Sequence, residues 1–89
     1  MNFGGALEAL KAGKKVAREG WNGKGMYIYR QEGTTIGPEQ GRNEHLRGME
    51  ADLIWIRPHI DMKAADGSVV IGWLASQTDM LGEDWVVVE

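Results

Sequence analysis

The 89-residue sequence contains no cysteine, which excludes disulfides, thiolate-bound zinc and a cysteine nucleophile. Histidine is nearly as scarce. His45 and His59 are not spaced as metal ligands, and no serine at a strand–helix elbow accompanies His59 and Asp61. A surface or structural role is therefore expected for each. Apolar runs stop after a few residues, as at Val86-Val87-Val88, whereas a membrane-spanning helix needs about 20. The first residues lack the charged start and apolar run of a secretory signal. With nothing to staple the fold and nothing that points to an oxidising compartment, a cytoplasmic protein is expected.

What is present is an ordinary globular mixture, 43% hydrophobic and 26% charged, with four tryptophans that argue against disorder. So short a chain buries roughly 60–65% of its unfolded surface. A deep cleft of its own is not expected, and oligomerisation is the expected way to complete its core. The net charge of −3 argues against general DNA binding. The charge is nevertheless uneven. Residues 1–30 hold six basic and two acidic side chains, a net of +4, and residues 31–89 hold four and eleven, a net of −7. A locally basic third can hold a small anion; it can equally be a solvated helix end and an exposed strand.

Phe3, Ala6, Leu7 and Leu10 recur with helical spacing, so a helix is predicted over 3–12, capped by Asn2 and ended by Gly13. Lys14–Glu19 reads as a strand with Val16 inward. Met26–Gln31 alternates, with Met26 and Ile28 on one face and Tyr27 and Tyr29 on the other, and reads as a second strand. Residues 32–51 show no period and read as a long loop with a short helix near Asn43–Met49. Asp52–Arg57 reads as a buried or interface strand, Pro58 as an edge or bulge, and His59–Lys63 as its continuation. Asp66-Gly67 makes a hairpin turn, and Ser68–Trp73 is the returning strand. Ser76 caps a short helical turn with Asp79 at its third position, Gly82 ends it, and Glu83–Val88 is the last strand. The predicted fold is α+β: a small, mainly antiparallel sheet packed by one N-terminal helix, with a short helical turn before the last strand, forming a single ligand-binding domain over 1–89.

Two segments could carry chemistry. In the first, Gly23 and Gly25 would bring backbone N–H groups close to a ligand, Lys24 and Arg18 would supply charge for phosphate, Trp21 a flat face, and Asn22 mixed hydrogen bonding, with Met26 closing the segment. The competing reading is a hairpin loop around a core tryptophan. In the second, Ser76, Gln77, Thr78 and Asp79 follow Trp73 and open a helical turn, which suits an anion or a polar ligand edge. The competing reading is a capping box on a polar turn, with Trp73 and Trp85 in the core. Carboxylates are not patterned as an acid–base pair, and no Walker or Gly-x-Gly-x-x-Gly motif occurs, so no cofactor is expected and binding is favoured over catalysis.

The stretch Phe3-Gly4-Gly5-Ala6-Leu7-Glu8-Ala9-Leu10-Lys11-Ala12-Gly13-Lys14-Lys15-Val16-Ala17-Arg18-Glu19-Gly20-Trp21-Asn22-Gly23-Lys24-Gly25-Met26 resembles the start of the Thoeris anti-defence two family of short phage proteins. Ile60-Asp61-Met62-Lys63, Asp66-Gly67 and the run from Trp73 to Trp85 resemble its end. The resemblance implies a sponge that binds a cyclic ADP-ribose immune signal, such as glycocyclic ADP-ribose, without cleaving it. It also implies a homotetramer with pockets at subunit interfaces, action in the cytoplasm of the infected host and, as in some members, a separate site for cyclic oligonucleotides. Under it, Arg18, Trp21, Asn22, Gly23, Lys24, Gly25, Met26, Trp73, Ser76, Gln77, Thr78 and Asp79 are the expected ligand contacts. Without it, the residues leave open a module that inhibits a host protein, or an enzyme with His59 as base.

Overall fold

The computed structural model describes residues 1–37, 44–49 and 52–89. Asn2 takes extended backbone, and its side chain accepts the amide of Gly5 at 2.9 Å, which opens helix α1 (Phe3–Lys11). At the other end Gly13 sits at φ 86°, the left-handed region that favours glycine. Lys14 N donates to Ala9 O and Gly13 N to Leu10 O, each at 3.0 Å. These paired bonds satisfy the last helical carbonyls and reverse the chain.

The reversal delivers strand β1 (Lys15–Arg18), which pairs antiparallel with β2 (Tyr27–Gln31) and with the last strand. Two further strands, β3 (Thr34–Ile36) and β4 (Ile54–Ile56), pair with each other in a separate ribbon. Between them lies a helical turn, α2 (Glu44–Arg47). The chain then returns to the main sheet as β5 (His59–Lys63) and β6 (Val69–Val70). After a second helical turn, α3 (Gln77–Met80), it ends as β7 (Trp85–Val88). Among the described residues the main sheet has the order β6-β5-β2-β1-β7, antiparallel throughout. The α+β fold predicted from periodicity is the one observed.

Strand alternation puts Val16, Ile28, Met62 and Trp85 on one face, where they cluster with Ala6 and Leu10 of α1. Removing each large side chain from water contributes about 1.5–3 kcal/mol, so this single helix–sheet contact is the main apolar stabilisation. Lys15, Tyr27, Tyr29 and Lys63 fall on the opposite face by the same alternation.

The structure departs from the sequence reading in the middle of the chain. Thr34–Ile36 is a strand inside the stretch read as a loop, and its partner is Ile54–Ile56, so residues 52–63 do not form one continuous strand. The break at Arg57-Pro58 sends the two halves to different sheets, because proline has no N–H to extend a ladder. Ile54 is buried while Leu53 and Trp55 are exposed, so the six-residue ribbon of β3 and β4 buries one side chain. The predicted helix near Asn43–Met49 is present as Glu44–Arg47, while Asn43 and the rest of 38–43 and 50–51 lie outside the described residues. The returning strand after the Asp66-Gly67 turn is only Val69–Val70. Gly72, at φ 85°, bends the chain away so that Trp73 N donates to Ile60 O at 2.7 Å.

Candidate ligand-binding site

Arg18 leaves the end of β1 on the helix-facing side of the sheet, beside Trp85 in the cross-strand register. Its Nε donates to Asp84 Oδ1 at 2.9 Å and its Nη1 to Asp79 Oδ1 at 3.0 Å. Asp84 Oδ2 also accepts the amide of Gly20 at 2.8 Å. The three side chains are largely screened from water, with 15% of Arg18, 13% of Asp79 and 32% of Asp84 exposed. Space around them is tight. A Cβ on Gly20 would stand 2.8 Å from Asp84 Oδ2, and one on Gly82 would stand 2.9 Å from Arg18 Nε. Neither glycine has a positive φ, so their smallness serves the ion pair and not a special turn.

Asp79 gathers more than the arginine. Its Oδ1 accepts the indole N–H of Trp21 at 3.2 Å, and its main-chain carbonyl accepts that of Trp85 at 2.9 Å. Ser76 N donates to Asp79 Oδ2, and Asp79 N donates to Ser76 Oγ, both at 3.1 Å, closing the capping box on α3. Trp21, Trp73 and Trp85 then meet edge to face, with ring centroids 5.4, 6.2 and 6.3 Å apart. Each such contact is worth about 0.5–1.5 kcal/mol beyond burial. Trp85 is fully buried, whereas Trp21 and Trp73 are half-buried and keep part of their surface toward solvent.

The electrostatics follow from these bonds. Asp84 hydrogen-bonds Arg18, and Asp79 adds a second bond, so the guanidinium is held above its ordinary pKa. Arg18, then the Gly20 amide, hold the Asp84 carboxyl below the usual carboxylate range. Burial pushes Asp79 upward, but the bonds from Arg18, Ser76 and Trp21 outweigh it, and its pKa is also lowered. Both acids are thus ionised acceptors at neutral pH, unsuited to donate a proton. His59 offers no better acid–base centre. Its Nδ1 lies 2.8 Å from Arg57 O and its Nε2 3.4 Å from the buried Asp61 carboxylate. Among the described residues, no three His, Asp or Glu side chains converge as a metal site.

The structure brings Arg18, Trp21, Trp73, Ser76 and Asp79 together from the two candidate segments, but gives several of them work different from the reading by spacing. Arg18 is already neutralised by two carboxylates. Ser76 and Asp79 cap each other, so the start of α3 is occupied by protein. Gly23 is close-packed: a Cβ there would meet Met26 Sδ at 2.5 Å and Ala65 Cβ at 2.8 Å. Gly25, at φ 77°, is needed for the turn. Met26 packs on the core. Asn22, Lys24, Gln77 and Thr78 are exposed. Gly20 and Gly82 were not among the expected contacts, and Asp84, by residue type an acceptor for ribose hydroxyls, is taken up by Arg18 and the Gly20 amide. The sequence separation of Arg18 and Asp84, 66 positions, leaves no local pattern by which to find them.

Fold and site together define a small α+β domain with a tryptophan cluster set beside an internally satisfied ion-pair network. The chain belongs to the Thoeris anti-defense 2-like domain family, whose model matches residues 1–88. It is also similar to the protein named Thoeris anti-defense 2 of Bacillus phage SP01, at 38% identity over 94 residues that span 99% of this chain and 94% of the relative.

Proposed function

We propose that the chain is a phage anti-defence sponge that binds a cyclic ADP-ribose signal, with glycocyclic ADP-ribose the first candidate, and sequesters it uncleaved so that a Thoeris effector is not activated. Family membership supports the anti-defence role. The observation that carries the binding reading is Trp21, half-buried and oriented by Asp79, with Asn22 and Lys24 exposed in the loop that follows it and Gln77 and Thr78 exposed in the turn that holds Asp79. A tryptophan face can stack on adenine. Lys24 offers charge to a phosphate, and the amides and hydroxyls suit ribose and base edges. The ionised state of Asp79 and Asp84 supports binding without cleavage.

To compete with a receptor, a sponge needs nanomolar affinity, about −12 kcal/mol. A monomer this small has little concave surface for that. Leu74 and Leu81, on either side of α3, are 92% and 80% exposed. They support a pocket shared between subunits of a homotetramer, the assembly proposed here. No helix among the described residues is long and apolar enough to cross a membrane, and the host cytoplasm is the proposed site of action.

Isothermal titration with glycocyclic ADP-ribose, followed by mass analysis of the ligand after heat denaturation, tests the proposal. Tight binding with intact ligand supports it. Recovery of linear ADP-ribose overturns the sponge mechanism. A flat titration overturns the ligand assignment and directs attention to cyclic oligonucleotides or a host protein.

A further inference from the structure

Asp61, in the middle of β5 and opposite Tyr29 in register, lies on the face of the sheet away from α1. It is wholly excluded from water, and no other charged side chain among the described residues is buried. Its Oδ1 accepts the amide of Gly72 at 2.8 Å, and His59 Nε2 stands 3.4 Å from the same oxygen. Oδ2 has no hydrogen-bond partner among the described residues. A carboxylate is costly to take out of water, and a half-satisfied one stabilises poorly. For stability alone, a β-branched apolar side chain suits a buried strand position better. The bond that Asp61 does make points to its role.

Two consecutive amides are pinned by two consecutive residues of β5. Asp61 takes the Gly72 amide, and the Ile60 carbonyl takes the Trp73 amide at 2.7 Å. Gly72 turns there at φ 85°, and a Cβ on it would meet nothing within 4 Å, so the backbone and not the space requires glycine. The turn carries the chain toward the core, against which Trp73 packs. The next side chain, Leu74, is 92% exposed and adds no anchor. The indole N–H groups of Trp21 and Trp85 are both held by Asp79. Trp73 has no such bond among the described residues. Its ring meets the other two edge to face, and the clamp on its backbone sets where it starts.

We propose that Asp61 is a positioning residue of the ligand site. By holding the Gly72 amide it sets Trp73 against Trp21, and so sets the fit of the ligand that these rings receive, without touching that ligand. The identity of the ligand rests on the sponge reading; the placement of Trp73 is readable without any ligand.

The test follows the indole N–H signals of the four tryptophans in a hydrogen–nitrogen correlation spectrum, assigned with single tryptophan-to-phenylalanine variants. Thermal melts and titration with glycocyclic ADP-ribose accompany it. Asp61→Val removes the acceptor and keeps the position filled. Its melting temperature is expected to match or exceed the parent's, which loss of a merely structural residue would not give. Its Trp73 signal should move, while that of Trp55, in the separate ribbon, stays. Its affinity should fall roughly tenfold, because the site is no longer preorganised. Asp61→Asn keeps an oxygen for the Gly72 amide and should restore the Trp73 signal, with affinity within about threefold of the parent. Gly72→Ala, strained at φ 85° but clear of neighbours, disturbs the same amide without entering the core. It should shift the Trp73 signal and weaken binding severalfold.

A folded Asp61→Val whose Trp73 signal matches the parent's overturns the proposal. So does one whose Trp73 signal moves while affinity holds, and so does an Asp61→Asn that fails to restore that signal. If Asp61→Val does not fold, Gly72→Ala decides by the same two readings. A flat titration of the parent overturns the sponge reading instead, and the Trp73 signal alone then decides the role of Asp61.

Discussion

The Asp79 carboxylate accepts the indole N–H of Trp21 at 3.2 Å across 58 positions of sequence. The same oxygen accepts from Arg18, and the residue's main-chain carbonyl accepts from Trp85. One residue therefore ties the glycine-rich loop, β1, the start of α3 and β7 to each other. Trp21 is held in one orientation before any ligand arrives, which reduces the ordering cost of binding.

Replacing Asp79 should release that orientation. Asp79→Ala removes the acceptor of Ser76 N in the capping box, though not the Ser76 cap itself, and leaves the Trp21 N–H and one arm of Arg18 without their acceptor. A loss of about 2 kcal/mol is expected from the donors left unpaired. Urea denaturation checks the stability. In the ligand titration, Asp79→Ala should weaken binding of glycocyclic ADP-ribose more than Ser76→Ala, which loses only the cap.

The tryptophans should separate into two kinds. Trp85→Ala empties the centre of the core and is expected to cost about 3–5 kcal/mol, enough to leave a small domain largely unfolded by circular dichroism. Trp21→Ala should keep the fold and the oligomer, yet weaken signal binding by roughly tenfold or more through lost stacking. Lys24→Glu should do the same by charge reversal. Parent-like affinity in both would remove the loop from the site.

Two glycine-to-alanine changes should have opposite signs. At Gly82 the new methyl meets Arg18 Nε at 2.9 Å and Asp84 Oδ1 at 3.0 Å, atoms fixed by their own bonds. Gly82→Ala should lower the melting temperature. At Gly4, in α1, the methyl stands 3.4 Å from Asn2 Oδ1, an ordinary contact. Gly4→Ala should raise stability by about 0.5 kcal/mol, because alanine loses less backbone freedom on entering a helix. Differential scanning calorimetry on both variants measures the pair.

Acid should weaken the fold through Asp84 and Asp79. Both folded-state pKa values lie below their ordinary ones, so the unfolded chain binds protons first as pH falls. Their contribution is complete above the unfolded value of about 3.9 and is lost as pH drops through the lower folded values. Melting temperature is expected to hold from neutral pH to about 5 and then decline, with a shallower decline in Asp84→Asn.

The local elements were legible because each rests on short-range physics. The Phe3, Ala6, Leu7, Leu10 spacing makes α1 amphipathic, Gly13 supplies its left-handed stop, and the Ser76 and Asp79 pair writes its own capping box. The alternation of Tyr27 and Tyr29 with Ile28 marks β2 and its buried side. Thr34–Ile36 was not legible: three residues between glycines are too few to show a period, and the strand exists only because Ile54–Ile56 pairs with it.

By itself the sequence determined the α+β class, the helix and its ends, the inward side of the central strands, the hairpin at Asp66-Gly67 and the family to which the chain is similar. These depend on spacing and on the φ preferences of single residues. The tertiary structure decided what the charged and aromatic side chains do. It matched Arg18 to Asp79 and Asp84, held Trp21 by a carboxylate, buried Trp85 and left part of Trp21 open, and set Lys15 and Lys63 over one tyrosine ring. A side chain's partner is set by which strands become neighbours, and in this sheet the first and last are neighbours although the whole chain lies between them.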